Sequence, residues 1–289
     1  MHCAPEGKPS LFGTRSSFTL PLPYSPALAM HALRTVGALT GREMLKFVRD
    51  RSRVLGALAQ PLALWVLLGL GFQGTFRPPS GAATEGGYMV FLFPGILTLV
   101  LLFTAIFSTI SVIEERASGF LQAVLVAPTP RTALVFGNAL GGTLLATGQA
   151  LLFLVALPLL GIALSLSGFA LIVAECVLTG IAFTALGFAI AWQMDTTRGF
   201  HALMNLFLLP LWFLSGAMFP IEGAAPVLQW IMWANPVSYA VSGLRHGLHA
   251  GAAPAALAGP GLCLAVSGGF AALMIGMAVW QVRRPFFQQ

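Results

Sequence analysis

Two sets of residues in this 289-residue chain have types and spacings that could support chemistry. Gly69, Gly71 and Gly74 fit the GxGxxG pattern of dinucleotide-binding turns. They end an apolar run instead of joining a strand to a helix, so we interpret them as helix residues. His246 and His249 stand three positions apart, but neither a third ligand nor an HExxH motif accompanies them. These patterns therefore predict neither a dinucleotide site nor a metal site.

The sequence gives equally little indication of phosphate binding or of thiol chemistry. No GxxxxGKS or GxxxxGKT loop is present, and the only lysines are Lys8 and Lys46. We therefore predict no ATP hydrolysis by this chain through that machinery. The three cysteines, Cys3, Cys176 and Cys263, lack CxxC spacing and lie in different regions, which argues against a disulfide framework or a zinc site. The sequence predicts no catalytic residue and no cofactor bound by this chain.

The composition is typical of a membrane protein. Hydrophobic residues make up 57% of the chain and charged residues 8%, against about 25% charged residues in an ordinary soluble domain. Runs almost free of charge, each long enough to cross roughly 30 Å of hydrocarbon, occupy residues 54–73, 88–113, 133–160, 169–192, 200–219 and 261–281. We predict an all-α membrane protein with six transmembrane helices. The net charge is +6, but the basic residues do not form a compact basic domain that could contact phosphates. Nucleic-acid binding is therefore not expected.

The basic residues predict how the chain is oriented. With six spans and both termini inside, 13 of the 15 lysines and arginines are cytoplasmic, and only Arg77 and Arg245 are outside. We expect a multi-pass protein of the cytoplasmic (inner) membrane. Residues 1–29, rich in Pro and Ser, are predicted to be a disordered cytoplasmic extension, and we hypothesise that translation starts at Met30.

Two further segments flank the predicted spans. Residues 30–53 are predicted to form an amphipathic interfacial helix, which rests on membrane lipid through one basic face formed by Arg42, Lys46, Arg49 and Arg53. The six-span transmembrane domain is predicted over residues 54–284, and a short cytoplasmic tail over residues 285–289. Before the last span, residues 220–250 contain prolines and apolar stretches too short to cross, which predicts an outer re-entrant hairpin.

The first cytoplasmic loop, residues 114–130, is unusually organised for a connector. Leu121, Val124 and Leu125 fall on one helical face, Gly119 permits a sharp turn, and Pro128 stops the helix. This pattern fits a short helix that docks in a partner's groove. By composition alone, a solvated turn with ordinary positive-inside charges fits as well.

A resemblance favours the docking helix. The loop is similar to the EERxxGxLxxxLxxP segment of type 2 permease subunits of ATP-binding-cassette transporters, and the Phe93-Pro94-Gly95-Ile96 pattern of that family precedes it. Residues 214–245 resemble the same family's final outer hairpin through Leu214-Ser215-Gly216, Phe219-Pro220, Pro226, Asn235-Pro236, Tyr239 and Arg245. The chain looks most like the subgroup of drug and lipo-oligosaccharide exporters.

The resemblance implies partners and roles. It implies a homodimer or close heterodimer of six-span subunits, each resting on a separately encoded ATPase that holds ATP and Mg²⁺. Residues 114–128 would be the coupling helix to that ATPase, with its ends, turn, groove contacts and stop at Glu115, Arg116, Gly119, Leu121, Leu125 and Pro128. The outer hairpin would form a gate through Phe219, Pro220, Asn235, Pro236, Tyr239 and Arg245. Phe120 and Gln122 depart from the family pattern and suggest a more apolar contact.

Four polar residues inside the predicted spans are candidates for the translocation path or for helix contacts. Glu175 is the only acidic residue within a span, where a charge is costly unless it is solvated, paired or protonated. Asn138, Gln149 and Asn205 can hydrogen-bond between helices. For Glu175, a role in substrate or proton handling and a structural, water-facing role both remain open.

We therefore expect a permease subunit of an ATP-driven exporter that moves an amphipathic, drug-like or lipid-linked molecule outward. One alternative is an ion-coupled secondary carrier that works without ATP. Another is a membrane-embedded enzyme that modifies lipid through Glu175 or the two outer histidines. Neither inverted repeats nor a nucleophile and base at usable spacing support these alternatives.

Overall fold

The computed structural model describes residues 34, 36–42, 44, 45, 49, 51–72, 87–119, 131–249 and 256–283, with side chains from residue 59 onward in the first long helix. Every regular element in these ranges is helical. The α-helices are α1 (Arg51–Gly71), α2 (Gly87–Ser108), α3 (Ile110–Ala117), α4 (Thr132–Phe153), α5 (Leu166–Ala191), α6 (Thr197–Trp212), α7 (Pro226–Ala234), α8 (Pro236–Leu248) and α9 (Pro260–Arg283). Leu154–Leu160 and Ile221–Gly223 are 3₁₀-helical, and Phe213–Ala217 is a π-helical segment.

Five helical stretches in the described residues are long and apolar enough to cross a membrane. They are Gly87–Ala117, Thr132–Leu160, Leu166–Ala191, Thr197–Ala217 and Pro260–Arg283. They coincide with five of the six predicted spans, so the chain is an all-helical, multi-pass membrane protein. The remaining predicted span coincides with α1, whose shorter apolar stretch is Ala59–Gly71. The count of six spans stays a prediction, as do the domain boundaries and the two segments at 1–29 and 285–289, which lie outside the described residues.

Helix α5 lies at the centre of the bundle and contacts α2, α4, α8 and α9. Small residues let its neighbours approach closely. A methyl group on Gly180 would lie 3.1 Å from Thr143 of α4, and one on Gly187 would lie 2.9 Å from the hydroxyl of Thr109. Ser165 caps the first turn of α5 by accepting a hydrogen bond from the backbone nitrogen of Gly168 at 3.0 Å.

Helix α2 is enclosed on almost every side. Most of its side chains are buried, including Leu92, Phe93, Ile96 and Leu101, each 0% exposed. Phe93 stacks on Phe153 of α4 at 5.2 Å between ring centroids and meets Trp65 of α1 edge-on at 5.5 Å. These aromatic contacts fix α1, α2 and α4 to one another.

The predicted hairpin is built from two short helices, α7 of 9 residues and α8 of 13 residues. Helix α8 is inserted against α2, α5 and α9. Two glycines allow its closest approach to α5, because a methyl group on Gly247 would lie 2.9 Å from the carbonyl oxygen of Gly168. We call this contact, formed by Gly168, Ile172, Gly243 and Gly247, the glycine seam. That the hairpin re-enters the membrane stays a prediction.

The described residues between 34 and 49 are helical, and they belong to the segment predicted to form the amphipathic helix. Leu39 is buried against Leu134 and Trp192, and the hydroxyl of Thr40 donates to the carbonyl oxygen of Gly137 at 3.3 Å. This amphipathic helix therefore packs on the start of α4. Its contact with lipid stays a prediction.

Replacing Gly142 with Ala should lower the stability of the bundle, because the added methyl group would collide with the side chains of Ser108 and Thr184. Overpacking of this kind costs about 1 to 3 kcal/mol, so the midpoint of thermal unfolding in detergent should fall. Gly148→Ala on the same helix is the matched control, because a methyl group there meets nothing within 4 Å. Equal midpoints for the two variants would contradict this close contact of α2, α4 and α5.

Candidate functional site

Most of the predicted site residues that the structure describes lie at the two ends of the bundle, which we call the Arg116 end and the Arg245 end, whereas four lie within the spans: Asn138, Gln149, Glu175 and Asn205. At the Arg116 end, Glu115 is 6% exposed on α3. Its carboxylate accepts a hydrogen bond from the guanidinium of Arg42, with which it forms an ion pair. The amphipathic helix and α3 are thereby joined by charge as well as by packing. Glu115 and Arg42 are 73 positions apart in sequence.

Arg116 joins α3 to the connection between α5 and α6. Its guanidinium donates to the carbonyl oxygen of Trp192 and, at 3.4 Å, to that of Met194. It also lies 3.6 Å from the carboxylate of Asp195 and 5.6 Å from the centroid of the Trp192 ring. The last carbonyl groups of a helix have no partner within that helix, so Arg116 satisfies the end of α5 while holding it in place.

Gly119 is the last residue of the predicted loop 114–130 that the structure describes before residue 131. Its φ of +76° lies in the left-handed region that favours glycine, and its backbone nitrogen donates to the carbonyl oxygen of Arg116 at 3.1 Å. The helical geometry of α3 therefore ends here. Leu121, Leu125 and Pro128 lie outside the described residues, so their roles in the coupling helix stay predictions.

The polar residues in the middle of the spans have different surroundings. Gln149 on α4 accepts a hydrogen bond from the hydroxyl of Thr104 on α2, which makes it a contact between helices. Asn138 donates to the carbonyl oxygen of Leu134 at 3.0 Å and thus bonds within its own helix. Asn205 is exposed on α6, whereas Glu175 is fully buried on α5. The four residues do not form one cluster.

At the Arg245 end, α6 is broken. The chain leaves helical geometry at Leu214, and Gly216 has a φ of +77°. Such a break leaves backbone carbonyl groups without helical partners. The side-chain nitrogen of Asn235 donates to the carbonyl oxygens of Leu211 at 2.6 Å and Leu214 at 3.1 Å. The oxygen of the same amide accepts from the backbone nitrogen of Val237 at 3.0 Å and so caps α8.

Arg245 satisfies a further carbonyl group of the break. Its guanidinium donates to the carbonyl oxygen of Gly216 at 2.7 Å and lies 4.4 Å from the centroid of the Phe91 ring. A buried arginine is tolerated when such partners replace water. Burial, together with the nearby Arg245 charge, lowers the pKa of His249 and favours its neutral form. Arg245 therefore attaches α8 to both α6 and α2.

Two aromatic residues that the sequence did not single out complete this end. Trp212 donates to the carbonyl oxygen of Gly95 at 2.7 Å, and Tyr88 donates to that of Met218 at 3.0 Å. Gly95 lies so close to the broken segment that a methyl group on it would be 2.7 Å from the Cβ of Ala217. In the sequence, this contact between α2 and the broken segment is indicated only by Pro94 and Gly95, which lie in the middle of the apolar run 88–113.

The remaining hairpin residues shape the turn. Phe219 and Pro220 are half-buried and precede the short helix at Ile221–Gly223. Pro236 is the first residue of α8, where its missing N–H costs nothing. Tyr239 donates to the carbonyl oxygen of Trp233 at 2.9 Å and so closes α8 onto α7.

The arrangement is suited to holding and releasing helices. Within the described ranges, no group of three or more His, Cys, Asp or Glu side chains is placed to hold a metal ion. At the two ends, site residues instead hydrogen-bond backbone carbonyl groups or pair with a charge on another helix, as Glu115, Arg116, Asn235, Tyr239 and Arg245 do. Movement of a helix at either end would therefore require these hydrogen bonds and ion pairs to break or to change partners.

Comparison with known proteins identifies the type of molecule. The model of the family described as "ABC-2 type transporter" matches residues 34–249. A relative from Porphyra purpurea, named as the transport permease ycf38, is 30% identical over 218 residues, which are 74% of each chain. YbhR of Escherichia coli K12, named as a multidrug ABC transporter permease, is 27% identical over 53% of this chain and 42% of its own. The inner membrane transport permease YadH of the same strain is 25% identical over 55% of this chain and 62% of its own.

Arg42→Ala and Glu115→Ala should each destabilise the chain, and their effects should not add. Because both residues contribute to one ion pair, the double variant should fall short of the sum by about 1 kcal/mol, measured by thermal unfolding. Arg42→Ala combined with Glu222→Ala is the control, since Glu222 lies exposed beside the hairpin. Additive effects in the Arg42 and Glu115 pair would mean that their contact contributes nothing.

Asn235→Asp should destabilise the Arg245 end by about 1 to 3 kcal/mol, the usual cost of leaving buried carbonyl groups without donors. Aspartate keeps the oxygen that caps α8 but loses the two N–H donors. Thr196→Asp is the matched control, because the cap of α6 uses only an acceptor oxygen. Unfolding midpoints measured for both variants decide the point: an unchanged midpoint for Asn235→Asp would show that the bonds to Leu211 and Leu214 are dispensable.

Proposed function

Because the chain belongs to the ABC-2 type transporter family, we propose that it is the membrane-spanning permease subunit of an ATP-driven exporter. The chain is a transport subunit rather than an enzyme. In this proposal a separate subunit binds ATP and Mg²⁺ and hydrolyses the nucleotide. The permease moves an amphipathic, drug-like or lipid-linked molecule outward across the cytoplasmic (inner) membrane.

The observation that carries this proposal is the junction at the Arg116 end. Glu115 holds the amphipathic helix, and Arg116 holds the connection between α5 and α6. Both residues belong to the predicted coupling loop, residues 114–130, and lie on the helical stretch Gly87–Ala117, which includes α2. A force applied to that loop would therefore reach three parts of the bundle at once.

The same helical stretch leads to the other end. Gly95 and Glu115 are 20 positions apart on it, or about 30 Å at 1.5 Å per residue. Gly95 accepts the hydrogen bond of Trp212, next to the break in α6. We propose that closure of the partner ATPases on ATP draws two coupling helices together, and that α2 transmits this movement to the outer hairpin. The coupling loop must then bind the two states with different affinities.

A second copy of the permease, or a close paralogue, completes the proposed transporter. Helix α6 leaves several side chains exposed in the single chain, with Leu206 at 68% and Phe207 at 62% beside the polar Asn205. An amide facing hydrocarbon is unfavourable, because lipid offers it no hydrogen-bond partner. We therefore propose that this face of α6 meets the second copy or the transported molecule.

The charge distribution supports the proposed orientation. The Arg116 end carries Arg42, Arg116, Arg131 and Arg198, whereas Arg245 is the basic residue of the hairpin end. An excess of arginine marks the cytoplasmic side. We therefore place both termini and the coupling loop in the cytoplasm, and the hairpin outside.

Several features support export of an amphipathic molecule. The spans contain few charged groups, so a path between them would favour a substrate with a large apolar part. YbhR of Escherichia coli, a relative, is named as a multidrug permease. An ion-coupled carrier is the competing possibility, and transport in proteoliposomes driven by a proton gradient without ATP would favour it.

Leu121→Ala with Leu125→Ala should release the partner ATPase. Because these side chains are predicted to fill its groove, we expect at least a tenfold loss of ATPase in the material that co-purifies from the native membrane, measured by mass spectrometry and ATP hydrolysis. Leu159→Ala with Leu166→Ala is the matched control, since these leucines are 83% and 87% exposed away from the loop and should leave co-purification intact.

Two results would contradict the proposal. One is recovery of the wild-type chain without any ATPase, under conditions that preserve other membrane complexes. The other is full retention of the ATPase by the Leu121 and Leu125 variant, which would remove the docking role from the loop.

A further inference from the structure

The carboxyl group of Glu175 lies where α5, α8 and α9 meet. Its residue is 0% exposed. From α8, Gly243 approaches so closely that a methyl group in its place would lie 2.5 Å from Oε1 and 2.6 Å from the carboxyl carbon. From α9, Ser267 presents its hydroxyl beside the carboxyl group. The side chain is therefore enclosed by protein on the side where the hairpin helix α8 is inserted.

Among the described residues no ion pair reaches this carboxyl group, and neither of its oxygens completes a hydrogen bond of good geometry, although the hydroxyl of Ser267 lies close enough to form one. The hydroxyl groups of Ser267 and of Thr179, one turn further along α5, also lack partners there. Glu175 is thus a buried acid beside hydroxyl groups that could accept or donate a hydrogen bond after a small rotation. No positive charge is provided for it.

The charged and titratable groups on the surrounding helices do not neutralise Glu175. On α8, Arg245 donates to Gly216, and His246 lies 2.8 Å from the carbonyl oxygen of Ala258. The nearest titratable groups on α5 and α9 are the thiols of Cys176 and Cys263, which are buried and free.

The other helices that pack on α5 bring no charge to this place. Helices α2 and α4 contain no charged residue. The charges of α3 lie at the Arg116 end, where Arg116 contacts the carbonyl oxygen of Trp192. Trp192 follows Glu175 by 17 positions, or about 25 Å of helix.

An ionised carboxylate in this position would lack both solvent and a counter-charge. Transfer of such a charge from water to a protein interior costs several kcal/mol even after relaxation, whereas the neutral acid needs only one acceptor for its O–H group. We propose that Glu175 is a proton-binding site: its carboxyl group holds a proton while α8 is packed in the glycine seam, and gives it up when α8 moves away.

The release step needs no other reactant. When α8 withdraws, water reaches the carboxyl group, the O–H bond breaks, its electron pair stays on the carboxylate oxygen, and the proton passes to water. Return of α8 reverses the step. The packed state therefore holds one more proton than the open state, and by linkage a rise in pH weakens the packing of α8 whereas a fall in pH strengthens it.

Proton binding by Glu175 depends on the packing of α8 in the glycine seam and does not depend on the proposed exporter function. It gives the chain a proton-dependent equilibrium between two positions of the hairpin. A substitution that keeps the shape of Glu175 but removes its ionisable group should make the equilibrium between the two hairpin positions independent of pH. That distinguishes a proton site from a polar group that only fills space.

Infrared spectroscopy of the purified full-length chain in lipid nanodiscs tests the proposal. At neutral pH the wild type should show the carbonyl stretching band of a protonated carboxylic acid, and Glu175→Gln should lose it. Glu175→Asp should retain a band at a shifted position. Glu222→Gln is the control, since that carboxylate is exposed outside the spans, and it should leave the band unchanged. A wild-type band that survives in Glu175→Gln, or the absence of a band at neutral pH, overturns the proposal.

A second variant keeps Glu175 and disturbs only its cover. Gly247→Leu places a side chain where even a methyl group would meet Ile172 and the carbonyl oxygen of Gly168, so α8 should be displaced and the band at neutral pH should be lost. Gly276→Leu on α9 is the matched control, because a methyl group there meets nothing within 4 Å. A band that persists in Gly247→Leu, with α8 shown to be displaced by faster hydrogen exchange of its amides, overturns the link between packing and proton binding.

Discussion

Backbone carbonyl groups that lose their helical partners inside an apolar bundle need donors, and side chains from other helices supply them throughout this molecule. An apolar interior provides no water, so the carbonyl groups at the break in α6 depend on Asn235 and Arg245 as donors. The same need at the end of α5 is met by Arg116. Each donor belongs to, or lies directly beside, an element whose position it fixes. The same hydrogen bonds therefore satisfy backbone carbonyl groups and fix the positions of the helices.

Between the two ends, packing follows a different rule. Glycine, alanine and threonine along α5 let four neighbouring helices approach it closely, so α5 is held mainly by van der Waals contact, and a hydrogen bond from Thr104 to Gln149 joins α2 to α4. Contact of this kind is close and tolerates little change in shape. The ends depend on a few hydrogen bonds that can exchange partners. A permease that moves at its ends around a firm centre is consistent with this division.

The sequence predicted the parts that depend on local pattern. Five predicted apolar runs coincide with helical stretches of spanning length. Between residues 220 and 250, where prolines interrupt the apolar sequence, the structure has two short helices. Glu115, Arg116, Asn235 and Arg245 were singled out by resemblance, but their partners were not. Trp212 and Gly95 are 117 positions apart and Tyr88 and Met218 are 130, and no local periodicity encodes such pairs. The amide of Asn138 shows the opposite limit, since its bond stays within one turn of its own helix.

Asn235 occupies an unusual place because a single amide serves two elements. Its nitrogen holds the broken end of α6, and its oxygen begins α8. The amide plane is rigid, so turning it to release one partner also turns it away from the other. The last part of α6 and the start of α8 are therefore joined through one side chain. Rotation of that side chain would release the end of α6 and the cap of α8 together.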